Sequence, residues 1–170
     1  AASKTDDIEA MDKLTAWLDS KLPAHDETSV VHGDFRLENA VIDPTSPTLL
    51  AVLDWELSTL GHPLADLGYH CMLYHLPQGE HSGSGFLGVD LGPLGIPSQD
   101  ELVQMYARAA GRSDVEHIDY FIAFGLFRMA AIVQGVYRRG LDGNASSETA
   151  LMYGPFVRQL AEVGWRVAQR

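Results

Sequence analysis

Six residues in the first third of the chain have the side chains that move protons and hold hard cations. His32, Asp34, Arg36 and Asn39 lie in "VVHGDFRLENAVID", and Asp54 and Glu56 lie in "LLAVLDWE". Each group sits beside a short apolar run. A divalent cation such as magnesium takes oxygen ligands, and Asn39 with Asp54 would supply them from two converging strands. Asp34 would then be free to orient a hydroxyl and take its proton late in phosphoryl transfer, with Arg36 offsetting charge on the transferring group. The same residue types also end strands and cap turns, with His32 bonding locally, and spacing alone does not separate the two readings. A carboxylate-rich site of this kind also suits metal-assisted hydrolysis.

The elements needed to position these residues are legible. Ala40 to Ile42 and Leu49 to Leu53 read as strands, and "DPTSPT" between them is turn chemistry. A hairpin centred on residues 45 to 48 puts Asn39 and Asp54 at its open end, where cross-strand neighbours are ~5 Å apart. Asp34 lies in the loop feeding that end. Ile8, Met11, Leu14, Leu18 and Leu22 recur at helical steps over residues 7 to 22, with Asp6 and Glu9 spaced for a capping box and Pro23 ending the helix. In "GHPLADLGYHCMLYH", Pro63 suits a helix start, and Leu64, Leu67, Cys71 and Tyr74 form an apolar stripe. Residues 77 to 97 read as loop. Ser98 with Glu101 opens another helix that ends near Gly111, and helices are expected over 114 to 139 and 147 to 168. The pattern is one domain, residues 1 to 170, of the α+β class, mostly helical, with its clear strands confined to the first third.

Other candidate sites are weaker. Asp66 and His70 have ligand-like spacing on one helical face, with His62 and His75 nearby, but no second histidine completes a tight zinc motif. Asp66 at a helix start reads more simply as a brace for a loop packed above it. "GSGFLG", Gly83 to Gly88, lacks the preceding strand and following helix of a dinucleotide-binding loop. There is no Walker A sequence, and no G-x-S-x-G surrounds Ser84. Arg128 is the odd residue of an apolar helix, expected to be ion-paired or to snorkel to the edge. Trp17, Trp55 and Trp165 read as core residues, with Trp55 pointing away from Asp54 and Glu56 if the backbone stays extended.

Bulk composition narrows the partners. The chain has 170 residues, 46% of them hydrophobic, which supports a packed core rather than disorder. Its 23 acidic against 12 basic residues give a net charge of −11, which disfavours nucleic acid and anionic membranes as main partners. The lone Cys71 forms no internal disulfide, pointing to a reducing, cytoplasmic setting. "AASKTDDIEAMDKL" is polar and acidic, with no secretory pattern. The apolar stretch from Tyr120 to Tyr137 is interrupted by Arg128 and Gln134, and reads as a buried helix rather than a membrane span.

"VHGDFRLEN", "AVLDWELSTLGHPLADLGY" and "QGVYRRGLDGNASS" resemble segments of the aminoglycoside phosphotransferase and choline kinase superfamily, which has the protein kinase-like fold. The resemblance covers most of residues 14 to 168 and is strongest to the phosphotransferase-like domains of the acyl-CoA dehydrogenase 10 and 11 group. It implies ATP-dependent transfer of the γ-phosphate to the hydroxyl of a small molecule, with magnesium as cofactor. It further implies that Asp34 is the catalytic aspartate, that His32 supports its loop, and that Asn39 and Asp54 hold the metal. Arg36 falls where related kinases often place a lysine near the transferred phosphate. Glu56 stands where protein kinases have glycine, and is placed to help with metal or substrate. Asp66 matches the buried acid that braces the catalytic loop.

The resemblance also implies a departure. The catalytic loop begins at residue 32, leaving no room for the N-terminal lobe that contacts ATP. The expectation is therefore a C-terminal lobe alone, a fragment that binds ATP weakly and catalyses little. A bare cleft wall of that kind favours self-association. The alternative is a non-catalytic kinase-like binding or regulatory module. Residues 77 to 97 and the 114 to 139 helix are the segments expected to contribute to acceptor choice.

Overall fold

A computed structural model of the chain describes residues 4–24, 27–79, 85–145 and 147–170. In chain order the elements are α1 (Glu9–Ser20), β1 (Ser29–Val31), β2 (Ala40–Ile42), β3 (Leu49–Val52), β4 (Thr59–Gly61), α2 (Leu64–Cys71), α3 (Gln99–Ala109), α4 (Ile118–Leu141) and α5 (Gly154–Ala168). Short 3₁₀ turns flank several of them, including Leu37–Asn39 and Trp55–Leu57.

The core is helical, and α4 is its axis. By length and composition α4 could cross a membrane, yet Phe121, Ile122, Ala123, Leu126, Ala130 and Val133 are buried against the other helices. Leu14 of α1, Leu126 of α4 and Leu160 of α5 are fully buried. Burying side chains of this size contributes roughly 1.5–3 kcal/mol each. The crossing of α2 with α4 depends on Gly68, because a Cβ there would lie 2.5 Å from the Phe121 backbone carbon. Close approach at this point brings the next residue, Tyr69, up against α4.

The strands form two separate antiparallel pairs, β1 with β4 and β2 with β3. The β2–β3 hairpin forms where expected but one residue out of the expected register: Ala40 pairs with Val52 rather than Leu53, and the ladder shifts between Val41 and Ile42. Its turn is fixed by Asp43, whose Oδ1 accepts the backbone N–H groups of Thr45 and Ser46 at 2.7 and 3.0 Å. The pairing of Ser29–Val31 with Thr59–Gly61 encloses the hairpin and both polar segments.

Several expectations need correction. The Asp6–Glu9 box does not form: α1 starts after Ile8, without a side-chain cap, and Glu9 pairs with Lys13 at 2.7 Å instead. The fourth helix begins at Ile118 rather than 114, because His117 just before it has a left-handed backbone, φ 59°. The last helix is delayed to Gly154, with Pro155 in its first turn and a 3₁₀ turn before it. Trp55 is not core but 50% exposed: Asp54 takes a left-handed conformation and residues 55–57 form a turn, so the backbone is not extended. Trp17 and Trp165 do pack against the core. The Ser98–Glu101 capping box is present in full. The Gly83–Gly88 segment lies partly outside the described residues.

Candidate active site

The loop after β1 is held from both sides. Asp66, in the first turn of α2, accepts the backbone N–H of His32 on Oδ2 at 2.7 Å and that of Gly33 on Oδ1 at 2.9 Å. Arg128 of α4 donates to the Gly33 carbonyl. Gly33 has φ +82°, and a Cβ at that position would sit 2.7 Å from the Leu57 carbonyl oxygen, so the loop requires glycine here. His32 is buried and links the two polar segments. Its Nδ1 accepts the Asp34 N–H at 3.2 Å, which leaves Nε2 to donate to the Leu53 carbonyl at 2.8 Å. That assignment makes the ring the neutral Nε2–H tautomer. The Trp55 ring packs against it at 4.7 Å between centroids.

The loop therefore presents Asp34 in a fixed pose. Tyr69 Oη donates to Asp34 Oδ1 at 2.7 Å. Asn39 Nδ2 donates to the Asp34 main-chain oxygen at 2.9 Å and to its Oδ2 at 3.2 Å. Burial, together with the Asp34 carboxylate, pushes the Tyr69 phenol up to about 12, so it is a donor across the physiological range. Arg36 lies near both groups and pairs with Glu38 at 3.2 Å. Partial burial opposes its charge, but Glu38 and Asp34 outweigh that and raise its pKa.

At the open end of the hairpin the Leu53 N–H donates to the Asn39 main-chain carbonyl at 2.7 Å, and Asp54 is the next residue after Leu53. Asp54 is one of two non-glycine residues with positive φ among the described residues, at φ 67°. Such a conformation costs an L-residue roughly 1–2 kcal/mol and concentrates at functional sites. Glu56 is exposed in the turn that follows. Asn39 spends its side-chain N–H groups on Asp34, which leaves its Oδ1 available as a ligand. Among the described residues nothing donates to the Asp54 carboxylate. These hard oxygen donors fit a magnesium ion. The zinc arrangement does not assemble: Asp66 is taken up by two backbone donors, and no three of His, Cys, Asp and Glu gather among the described residues.

Arg128 is neither ion-paired nor snorkelling, since it holds Gly33 and lies over the Tyr69 ring at 5.5 Å. Tyr69 is a site residue that sequence reasoning misses, because nothing local marks a tyrosine as facing an aspartate 35 residues away.

Residues 1–120 match the sequence profile of the phosphotransferase enzyme family. The chain belongs to that family. A crystal structure from Ralstonia eutropha, under the provisional name aminoglycoside phosphotransferase, superimposes on this family member with a TM-score of 0.91. The two are 46% identical over 99% of this chain and 51% of that one. Mouse acyl-CoA dehydrogenase family member 10 is 44% identical over 99% of this chain and 16% of its own length. Human acyl-CoA dehydrogenase family member 11 is 42% identical over 99% of this chain and 22% of its own length. This phosphotransferase-family chain thus spans a small part of the dehydrogenase-named relatives and about half of the solved one. Its mostly helical architecture with a small antiparallel hairpin is that of the C-terminal lobe of a protein kinase-like phosphotransferase.

Proposed function

We propose that this chain is the catalytic-loop half of an ATP-dependent phosphotransferase that moves the γ-phosphate to a hydroxyl of a small molecule. The observation that supports this reading is the Asn39 side chain bonded to the Asp34 carboxylate at the hairpin end where Leu53, the residue before Asp54, bonds the Asn39 main chain. In the proposed reaction Asp34 accepts the proton of the acceptor hydroxyl. That oxygen forms its bond to phosphorus as the bond to the ADP oxygen breaks. Arg36 offsets charge on the transferring group. Asn39 and Asp54, with Glu56 next to them, would hold magnesium, which when bound neutralises phosphate charge. His32 and Asp66 keep the loop in position.

The solved relative is about twice as long as the part matched here, so the proposed reaction is assigned to a protein that carries this chain together with the remaining half. The isolated chain is proposed to bind ATP weakly and to catalyse little. Val30 and Leu60, paired across the β1–β4 ribbon, are 64% and 70% exposed, which supports self-association of the isolated chain through this ribbon. Sedimentation velocity should then show mass rising with concentration, and a constant monomer mass would count against it.

The deciding experiment is Asp34→Ala in the longer protein, read as magnesium-dependent conversion of ATP to ADP with and without candidate polyols, sugars and amino alcohols. Turnover should fall by about 10²–10⁴-fold, the usual contribution of a general base, while the circular dichroism spectrum is unchanged. Retained turnover defeats the role given to Asp34.

A further inference from the structure

We propose that Tyr69 and Arg128 act as a positioning pair for the Asp34 carboxylate, a role that rests on the phosphotransfer reading above. A carboxylate has two oxygens and rotates about χ2 unless both are engaged. Here Tyr69 takes Oδ1 at 2.7 Å, and Asn39 reaches Oδ2 at 3.2 Å. The Tyr69 bond is the shorter one and comes from a rigid element: Tyr69 is 7% exposed, on a helix whose neighbouring Gly68 meets the Phe121 backbone. The Asn39 bond comes from the loop itself. The phenol thus fixes the carboxylate relative to the helical core, and Asn39 fixes it relative to the hairpin.

Arg128 completes the arrangement from the opposite helix. One guanidinium nitrogen donates to the Gly33 carbonyl, immediately before Asp34, and the guanidinium carbon lies 5.5 Å from the centroid of the Tyr69 ring. A single side chain therefore holds both the backbone that carries the carboxylate and the ring that orients it. Cation–ring contacts strengthen when partly desolvated, and Arg128 is half-buried here. Nothing in the helix's own packing demands an arginine at this position, and apolar residues precede and follow it. The charge instead keeps Tyr69 and the loop in register, and Oδ2 of Asp34, which carries only the longer Asn39 bond, keeps a second lone pair to meet a hydroxyl.

The test has two arms. In the first, 3-fluorotyrosine replaces Tyr69 in the full chain, and its ¹⁹F resonance is followed with Asp34→Asn and with Arg128→Met. A hydrogen-bonded, cation-covered ring shifts in both variants. A resonance unmoved in both overturns the pairing, whatever the activity. In the second, Tyr69→Phe is introduced in the longer protein and ATP turnover is measured against nucleotide concentration. Misplacing a reacting group by an ångström costs up to about 100-fold. We expect kcat to fall by about ten-fold or more, with the nucleotide KM within about twofold, and Arg128→Met to add little to that loss. Unchanged kcat in Tyr69→Phe while Asp34→Ala is dead overturns the positioning role alone. Unchanged kcat in both variants overturns the phosphotransfer reading instead. If Tyr69→Phe fails to fold, the fluorotyrosine arm still decides, because it keeps the hydroxyl in place.

Discussion

Asp66 Oδ2 accepts the backbone N–H of His32 at 2.7 Å although 34 positions separate the two residues in sequence. With Oδ1 taking the Gly33 N–H, both oxygens of one carboxylate are spent on consecutive amides of the loop that carries Asp34. Asp66→Asn turns one of these acceptors into a donor facing a donor. A half-buried N–H left unsatisfied costs about 1–3 kcal/mol. We expect Asp66→Asn to lower the urea midpoint by a corresponding amount and Asp66→Ala to do no better. A wild-type midpoint in Asp66→Asn would remove the brace.

Asp54 tests whether strain is kept for a purpose. Glycine adopts φ near +67° without penalty but loses more backbone freedom on folding. These effects nearly cancel, so Asp54→Gly should change stability by no more than about 0.5–1 kcal/mol. Its carboxylate would be gone, and manganese titration should no longer broaden the Asn39 amide resonances in the NMR spectrum. Broadening that persists unchanged in Asp54→Gly would disqualify this residue as a ligand.

The pH dependence follows from two half-buried histidines. Burial holds both His70 and His75 below the ordinary histidine value of 6.5; a hydrogen bond to the Gln99 side chain partly opposes this at His75. Their folded-state affinity for protons is depressed, so the unfolded chain binds more protons as pH falls past about 6.5. Stability contributed by these groups is therefore complete above about pH 7 and is lost as pH drops from about 6.5 toward the lowered values. Urea midpoints measured from about pH 7.5 to about pH 5 should decline over that window. The His70→Asn, His75→Gln double variant should decline less steeply, and an equal slope would exclude the two histidines as the cause.

Much of the site is legible in the sequence because its signals are local. The hairpin follows from short apolar runs around an Asp-Pro turn, and α3 from its Ser98 and Glu101. The placing of Asn39 beside Leu53, the residue before Asp54, needs only that hairpin. What escapes depends on distant partners. Strand β4 has three residues, and its pairing with Ser29–Val31 is set by closure of the intervening chain rather than by its own composition. The role of Arg128 does not follow from an apolar helix, because its partners, Gly33 and Tyr69, come from two other elements. The orientation of Trp55 departs from an extended-strand reading because Asp54, a residue that tolerates left-handed geometry better than most, turns the chain there.

The pairing of β1 with β4 encloses the β2–β3 hairpin and every polar residue from His32 to Glu56 within one chain loop. Nested topology of this kind divides the molecule into unequal cooperative units. The hairpin can re-form on its own, since its contacts are near in sequence. The outer ribbon must first meet the entropy of closing a longer loop. Transient separation of the ribbon, together with the bonds that Asp66, Tyr69 and Arg128 make to residues 32–34, would release the whole insert as a single sub-global opening while the helical body stays intact. Hydrogen exchange should then report one shared protection level for the ribbon amides of Val30 and Leu60, below that of the α4 core.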